Sequence, residues 1–289
     1  MIMECVLDAK AELGEGPVWD PVAACLYFVD ITAGLVHRYD PETRSSRALP
    51  AGTMVGAVAL SVAGDLLLAV RDGFIRLDPA TGLTRKIADV EADRPDQRMN
   101  DGKCDSFGRF WAGTMAIDER PAAGALYRLD ADGRVHTMLE HVTISNGIDW
   151  SDDGRLMYYV DTPTGSIDVF DFDVADGSIA NRRSVTRVEA GAGWPDGLTL
   201  DAEGYLWVAL WSGGAVRRYS PDGVLDRVVP VPVSHPTSCT FGGADFGDLY
   251  ITSASCALTP EARLQQPLAG GLFRCRPGVC GRPAHRFRG

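Results

Sequence analysis

Short apolar runs bounded by Gly, Pro or Asp recur along the whole chain, and none continues with the 3.6-residue period of an amphipathic helix. Each run is followed by a gap, a second apolar run and often Asp-Pro or Asp-Gly. Six such units are visible: LYFVDITAGLVHRYDPET, LLLAVRDGFIRLDPATG, RFWAGTM with GALYRLDADG, RLMYYVDTPTGSIDVFDFDVADG, YLWVALWSGGAVRRYSPDG, and DLYITSAS with GGLFRCRPG. Their first strands begin near Leu26, Leu66, Phe110, Leu156, Leu206 and Leu249, in steps of 40, 44, 46, 50 and 43 residues. Propeller blades repeat every ~40–50 residues, so the pattern predicts an all-β fold, a six-bladed β-propeller forming one domain over residues 1–289. ECVLDAKAEL near the start has no blade of its own and is expected to supply the outer strand of the last blade, covering an open edge. Trp111, Tyr158, Tyr159, Trp207 and Trp211 fall in the strands and are read as packing between blades rather than as a ligand cage.

A short run precedes each unit and is expected to be the inner strand lining the central channel. Asn100 lies eight residues before Gly108, Asn146 eight before Gly154 and Asp196 eight before Gly204. The same offset reaches Gly56 in the second unit and, counted from Ala23 in the matching loop, Glu15 in the first. Equivalent positions on inner strands converge on the axis, so Glu15, Asn100, Asn146 and Asp196 are expected to meet at one end of the channel. Asn-Asp-Gly, Asn-Gly and Asp-Gly are also ordinary turn signals. Turn chemistry does not account for Glu15 at the matching place, where the sequence reads Glu-Gly-Pro.

Two carboxylates brought together in a partly dry channel repel each other, and a hard divalent cation removes the repulsion. An all-oxygen set suits Ca²⁺ first, with Mg²⁺, Mn²⁺, Fe²⁺ and Zn²⁺ also admissible. A glycine after each candidate ligand lets backbone approach a bound group closely. Arg98, two residues before Asn100, points to the same side of an extended strand. Its guanidinium is suited to a polyhydroxylated or anionic substrate, or, within EADRPDQR, it is a solvent-facing arginine.

Composition narrows the function classes. The chain has 289 residues, is 45% hydrophobic and carries a formal charge of −11, which leaves ample core material and argues against binding a phosphate backbone. No apolar run is long enough for a membrane span, and MIMECVLDAK holds no run of signal-peptide length, so a cytoplasmic protein is expected. Cys5, Cys25, Cys104, Cys239, Cys256, Cys275 and Cys280 contain no C-x-x-C pair and read as reduced packing residues. The five histidines lack H-x-H or H-E-x-x-H spacing, and neither a G-x-S-x-G elbow nor a phosphate-binding glycine loop is present. Chemistry therefore falls to the metal.

LGEGPVWD, RMNDGKCD with GRFWAGTM, ISNGIDWS with MYYVDT, FDFDVADGSIANRRSV, PDGLTLDAEGYLWVA, TSCTFGG and QQPLAGGLF occur in order along nearly the full length. In these motifs the chain resembles the regucalcin (senescence marker protein) and gluconolactonase family of six-bladed propellers. The resemblance implies one divalent metal held by Glu15, Asn146 and Asp196, with Arg98 and Asn100 at the substrate. It further implies a metal-dependent lactonase, a carboxylic ester hydrolase acting on a small sugar lactone, in which Asp196 accepts the proton of the attacking water. One departure stands out: the loop AIDERPAA between Met115 and Gly124 is shorter than in animal regucalcins, where it helps cover the site. Alternatives are a calcium-binding regulatory protein without catalysis, although nothing resembles an EF-hand, and a phosphotriester hydrolase. Neither nucleic acid nor membrane is expected as a partner, and the protein is expected to be a monomer.

Overall fold

Residues 2–289 are described in a computed structural model. Their strands form six four-stranded antiparallel sheets. The innermost strands are Gly14–Asp20, Val55–Leu60, Gln97–Cys104, Ser145–Trp150, Trp194–Leu200 and Pro236–Gly242, and successive ones pack against each other around the axis until the last meets the first. Burial follows the distance from that axis. The second strand of the first blade, Cys25–Asp30, is buried throughout, whereas its outermost strand, Ser45–Pro50, is exposed at all but one position. That gradient explains why the second strands were the clearest apolar runs in the sequence, and why the polar outer strands carried no signal.

Glu4–Leu7 pairs antiparallel with Leu272–Cys275, so the sheet that closes the ring contains the first and last strands of the chain. Of the aromatics expected in the core, Trp111, Trp207 and Tyr159 are fully buried and Tyr158 nearly so. In two blades an aspartate in the turn anchors the core tryptophan: Asp105 accepts from the Trp111 indole and Asp201 from that of Trp207, each at 2.9 Å. Asp201 also accepts from Arg218 at 2.8 Å and Asp105 from Arg109 at 2.6 Å, so neither buried carboxylate is unpaired. Trp211 departs from the expectation. It is only partly buried, at the end of its strand, where the backbone leaves the core and its ring faces a cavity.

The final segment, residues 276–289, runs across the far end of the channel. Gly281 bridges to Asp201 and donates to Phe246 O, Arg282 binds Asp152 and Trp150 O, and Arg286 binds Asp20. Phe287 bridges to Ser61 with its ring buried, and Arg288 N donates to Gly108 O. The tail thereby touches the first turn of every blade. Among the described residues the only α-helix is Pro260–Gln265, and no helix is long and apolar enough to cross a membrane.

Glycines govern how closely the inner strands approach. A Cβ on Gly56 would stand 2.4 Å from Asn100 O, on Gly147 2.6 Å from Asp196 O, and on Gly197 2.1 Å from Ser238 Oγ. At Gly147 and Gly197 the room beside the candidate ligand is therefore filled by the neighbouring blade, whereas at Gly16 the nearest atom, Ala57 Cα, is 3.7 Å from such a Cβ. Gly147→Ala is expected to destabilise the protein by about 2–3 kcal/mol, because rigid backbone must yield. Gly64→Ala, at φ +92 with open space around it, should cost only about 1 kcal/mol, for the left-handed backbone. Equilibrium denaturation of the two variants checks the ordering.

Candidate metal centre and active site

Each inner strand slips register against its neighbour through a β-bulge at the same level. The slips lie between Glu15 and Val18, Val55 and Ala57, Met99 and Gly102, Asn146 and Ile148, Pro195 and Leu198, and Pro236 and Ser238. A bulge re-aims a side chain, and six of them at one level make a ring of Glu15, Gly56, Asn100, Asn146, Asp196 and Thr237. The sequence offset had found five of these. Thr237 escaped because its turn glycine, Gly247, follows ten residues later rather than eight. The Thr237 hydroxyl donates to Gly14 O, holding the peptide that precedes Glu15.

Glu15, Asn100, Asn146 and Asp196 of this ring line a cavity of about 410 Å³. One level above it lies a second, equally regular set: Leu13, Arg98, Ile144 and Trp194, each two residues before its ring neighbour, also line the wall. Carboxylates fix two of these approaches. Asp30 accepts from Glu12 N at 2.9 Å and Leu13 N at 3.2 Å, and Asp161 accepts from Ile144 N at 2.9 Å. Both are the terminal Asp of a Val-Asp pair ending a second strand. Alternation applied to every ring position, not to Asn100 alone, identifies this upper set.

The side chains of the ring are buried, and their hydrogen bonds divide them into two kinds. Asn100 is satisfied within the protein: Nδ2 donates to Ser145 O at 2.7 Å and Oδ1 accepts from Arg98 Nη1 at 2.7 Å. Asn146 is held by its nitrogen alone, which donates to Thr162 Oγ1 at 3.0 Å, while that hydroxyl donates to Pro195 O at 2.9 Å. Asn146 Oδ1 and Asp196 Oδ1 are both buried without a partner. Unpartnered buried acceptors are costly and rare in folded proteins, and two beside a buried carboxylate make an oxygen set of the kind that fits a hard cation.

Electrostatics agrees with the geometry. Burial pushes the Glu15 carboxyl well above the usual carboxylate range, and the charges of Asp196 and Asp101 push it further. Asp196 is raised in the same way by burial and then by Asp101, with Asn146 and the Gly197 N–H opposing the shift. Asp101, just below the ring, is pushed up to about 6, chiefly by burial. The positive charge of Arg98 opposes both shifts, while its guanidinium donates to Asn100 Oδ1 and Met99 O. Among the described residues no three His, Cys, Asp or Glu side chains form a metal-binding group. Glu15, Asp196 and Asn146 reach three oxygen donors only through an amide, and these residues fit a hard divalent ion better than a soft one.

The sequence reading missed Thr162, which orients Asn146, and Asp101, whose charge bears on the ring. It also missed Glu119 in the short loop and Trp194 on the rim, both of which line the cavity. Thr162 stands in a 3-10 turn after Asp161, a place no periodicity marks. Trp211, opposite Trp194 in the strand register, stacks on His235 with ring centroids 4.3 Å apart.

Regucalcin of Gallus gallus is 42% identical over 99% of this chain and 98% of its own length. The crystal structure of regucalcin from Agrobacterium tumefaciens, a calcium-binding protein, is 30% identical with a TM-score of 0.95, over 98% of this chain and 96% of its own. A luciferin-regenerating enzyme is 32% identical with a TM-score of 0.93, over 99% of both chains. Residues 13–255 match the SMP-30/Gluconolactonase/LRE-like region, and on this breadth of likeness in sequence and in fold, the chain belongs to that family.

Proposed function

We propose that this protein is a divalent-metal-dependent lactonase that opens sugar lactones to aldonic acids. The observation that carries the reading is the pair of buried, unpartnered oxygens, Asn146 Oδ1 and Asp196 Oδ1, beside Glu15 in the lining of a cavity that also presents Arg98 and Asn100. Glu15, Asn146 and Asp196 would hold the ion. Ca²⁺ is the first choice, consistent with the calcium-binding relative, and Mg²⁺, Mn²⁺, Fe²⁺ and Zn²⁺ remain compatible with the oxygen set. When bound, such an ion supplies Lewis-acid polarisation of a carbonyl and acidifies water.

The protein's own groups do the rest. The Asp196 carboxylate takes the proton from the attacking water and returns it to the ring oxygen that leaves as a hydroxyl. Asn100, fixed by Ser145 O, and Arg98, fixed by Asn100 Oδ1, orient the ring hydroxyls with the hydrogen-bonding capacity that remains to them. Thr162 holds the Asn146 amide with its oxygen toward the ring. Calcium binding without catalysis is the competing reading, and assays on gluconolactone across several metals separate the two.

Asp196→Ala should abolish lactone hydrolysis and weaken metal binding together; full activity in a pH-stat assay of this variant overturns the assignment. Thr162→Val should weaken metal affinity roughly tenfold, the usual effect of losing a group that orients a ligand, as measured by calorimetric titration. The pH dependence has a definite sign. With their values raised, Glu15 and Asp196 keep protons in the metal-free folded state at a pH where the unfolded chain, titrating near about 4, has lost them. Metal-free stability therefore falls as pH rises from about 4 through the raised values, while the thermal shift produced by a divalent ion grows over the same range. Asp196→Asn should raise metal-free stability at pH 7, because the folded chain no longer buries a carboxyl that the unfolded chain would ionise, and remove the metal-induced shift. Thermal melts with chelator and with metal at pH 5 and pH 8 test both expectations.

A further inference from the structure

Trp194 is half exposed, a large aromatic surface left open at the mouth of the cavity. It forms a wall between that cavity and an adjoining groove of about 490 Å³, and Pro163 is shared by both in the same way. The indole is carried on a rigid base. Gly193 before it adopts φ +101, and a Cβ there would stand 2.7 Å from both Gly213 Cα and Trp211 O. Its register partner Trp211 is in turn stacked on His235.

The adjoining groove sets charged and hydroxyl groups among apolar ones. Arg187 donates from one arm to Thr164 O at 2.6 Å, Glu189 receives both arms of Arg217 at 2.7 Å, and Ser212 lies alongside. Fixed charges beside an open indole match a ligand with one apolar face and a hydroxylated edge. A pyranose ring has that character: its C–H face lies on an aromatic ring while its hydroxyls reach outward. A flat aromatic substituent would use the indole and leave the charged edge without partners. The two volumes together exceed the need of a single sugar lactone and lie in the range of larger ligands.

We propose that Trp194 is the platform of an outer carbohydrate subsite, so that the preferred substrate is a lactone bearing a glycosyl substituent that lies across Trp194 toward Arg187. This rests on the lactonase reading for the reacting end of the substrate, but the subsite itself is a matter of binding. The test compares gluconolactone with its 4-O-glucosyl derivative as substrates for the wild type, Trp194→Ala and Trp194→Phe. The ratio of kcat/KM for the glucosylated lactone to that for the simple one should fall roughly three- to tenfold in Trp194→Ala, mainly through KM, and recover in Trp194→Phe. An unchanged ratio overturns the subsite. Calorimetric titration with the two open-chain acids gives a readout independent of turnover. The wild type should bind the glucosylated acid more tightly than gluconate, and Trp194→Ala should lose that preference; equal affinity in the wild type overturns the proposal. Should neither lactone be hydrolysed with any divalent ion, the lactonase reading falls, and this titration alone decides the subsite.

Discussion

Two buried carboxylates that line one cavity, Glu15 and Asp196, set the terms for the site. Glu15 and Asp196 come from blades far apart in sequence, yet the closed ring leaves them no means of moving apart; the charge of Asp196 raises the proton affinity of Glu15, and Asp101 raises that of both. An open sheet could relax by splaying its strands. A propeller cannot, since each inner strand is wedged between two others, and the glycines beside the ring show how little space is left. The fold thus maintains an electrostatic tension that a proton relieves and that, on the proposed reading, a divalent ion would relieve through the unpartnered oxygens of Asn146 and Asp196.

The bulge is the local device that makes this possible. A regular strand would pair every backbone group and send alternate side chains to the two faces of its blade. Inserting one extra residue per inner strand turns a side chain toward the axis without breaking the ladder on either side. Asn100 and Asn146 occupy equivalent bulges but have different surroundings. The first is bound at both ends of its amide, and the second at one end only. Identical backbone placement thereby yields one amide that is satisfied within the protein and another whose oxygen is left without a partner.

Much of this was legible in the sequence because propeller blades are short-range structures. The spacing of apolar runs fixed the number of blades, and the eight-residue offset to the turn glycine located Glu15, Asn100, Asn146 and Asp196 at a common level. What escaped had no periodic signature. Thr237 lies before a longer turn, Thr162 sits in an irregular turn, and the partnering of the asparagine amides depends on neighbours from other blades. Trp211 was misjudged because its strand is apolar to the end, and only the fold shows that the last residue emerges into the cavity.

The C-terminal tail, absent from any repeat, changes the mechanical character of the whole ring. Linear repeat arrays come apart from their ends, since each unit touches only its neighbours. Here a single segment crosses the first turn of all six blades, with Arg286 and Phe287 on one side and Gly281 and Arg282 on the other. It acts as a drawstring: no seam between blades can open without stripping contacts that also secure blades on the opposite side. Separation of any two blades is thereby made a property of the entire circumference.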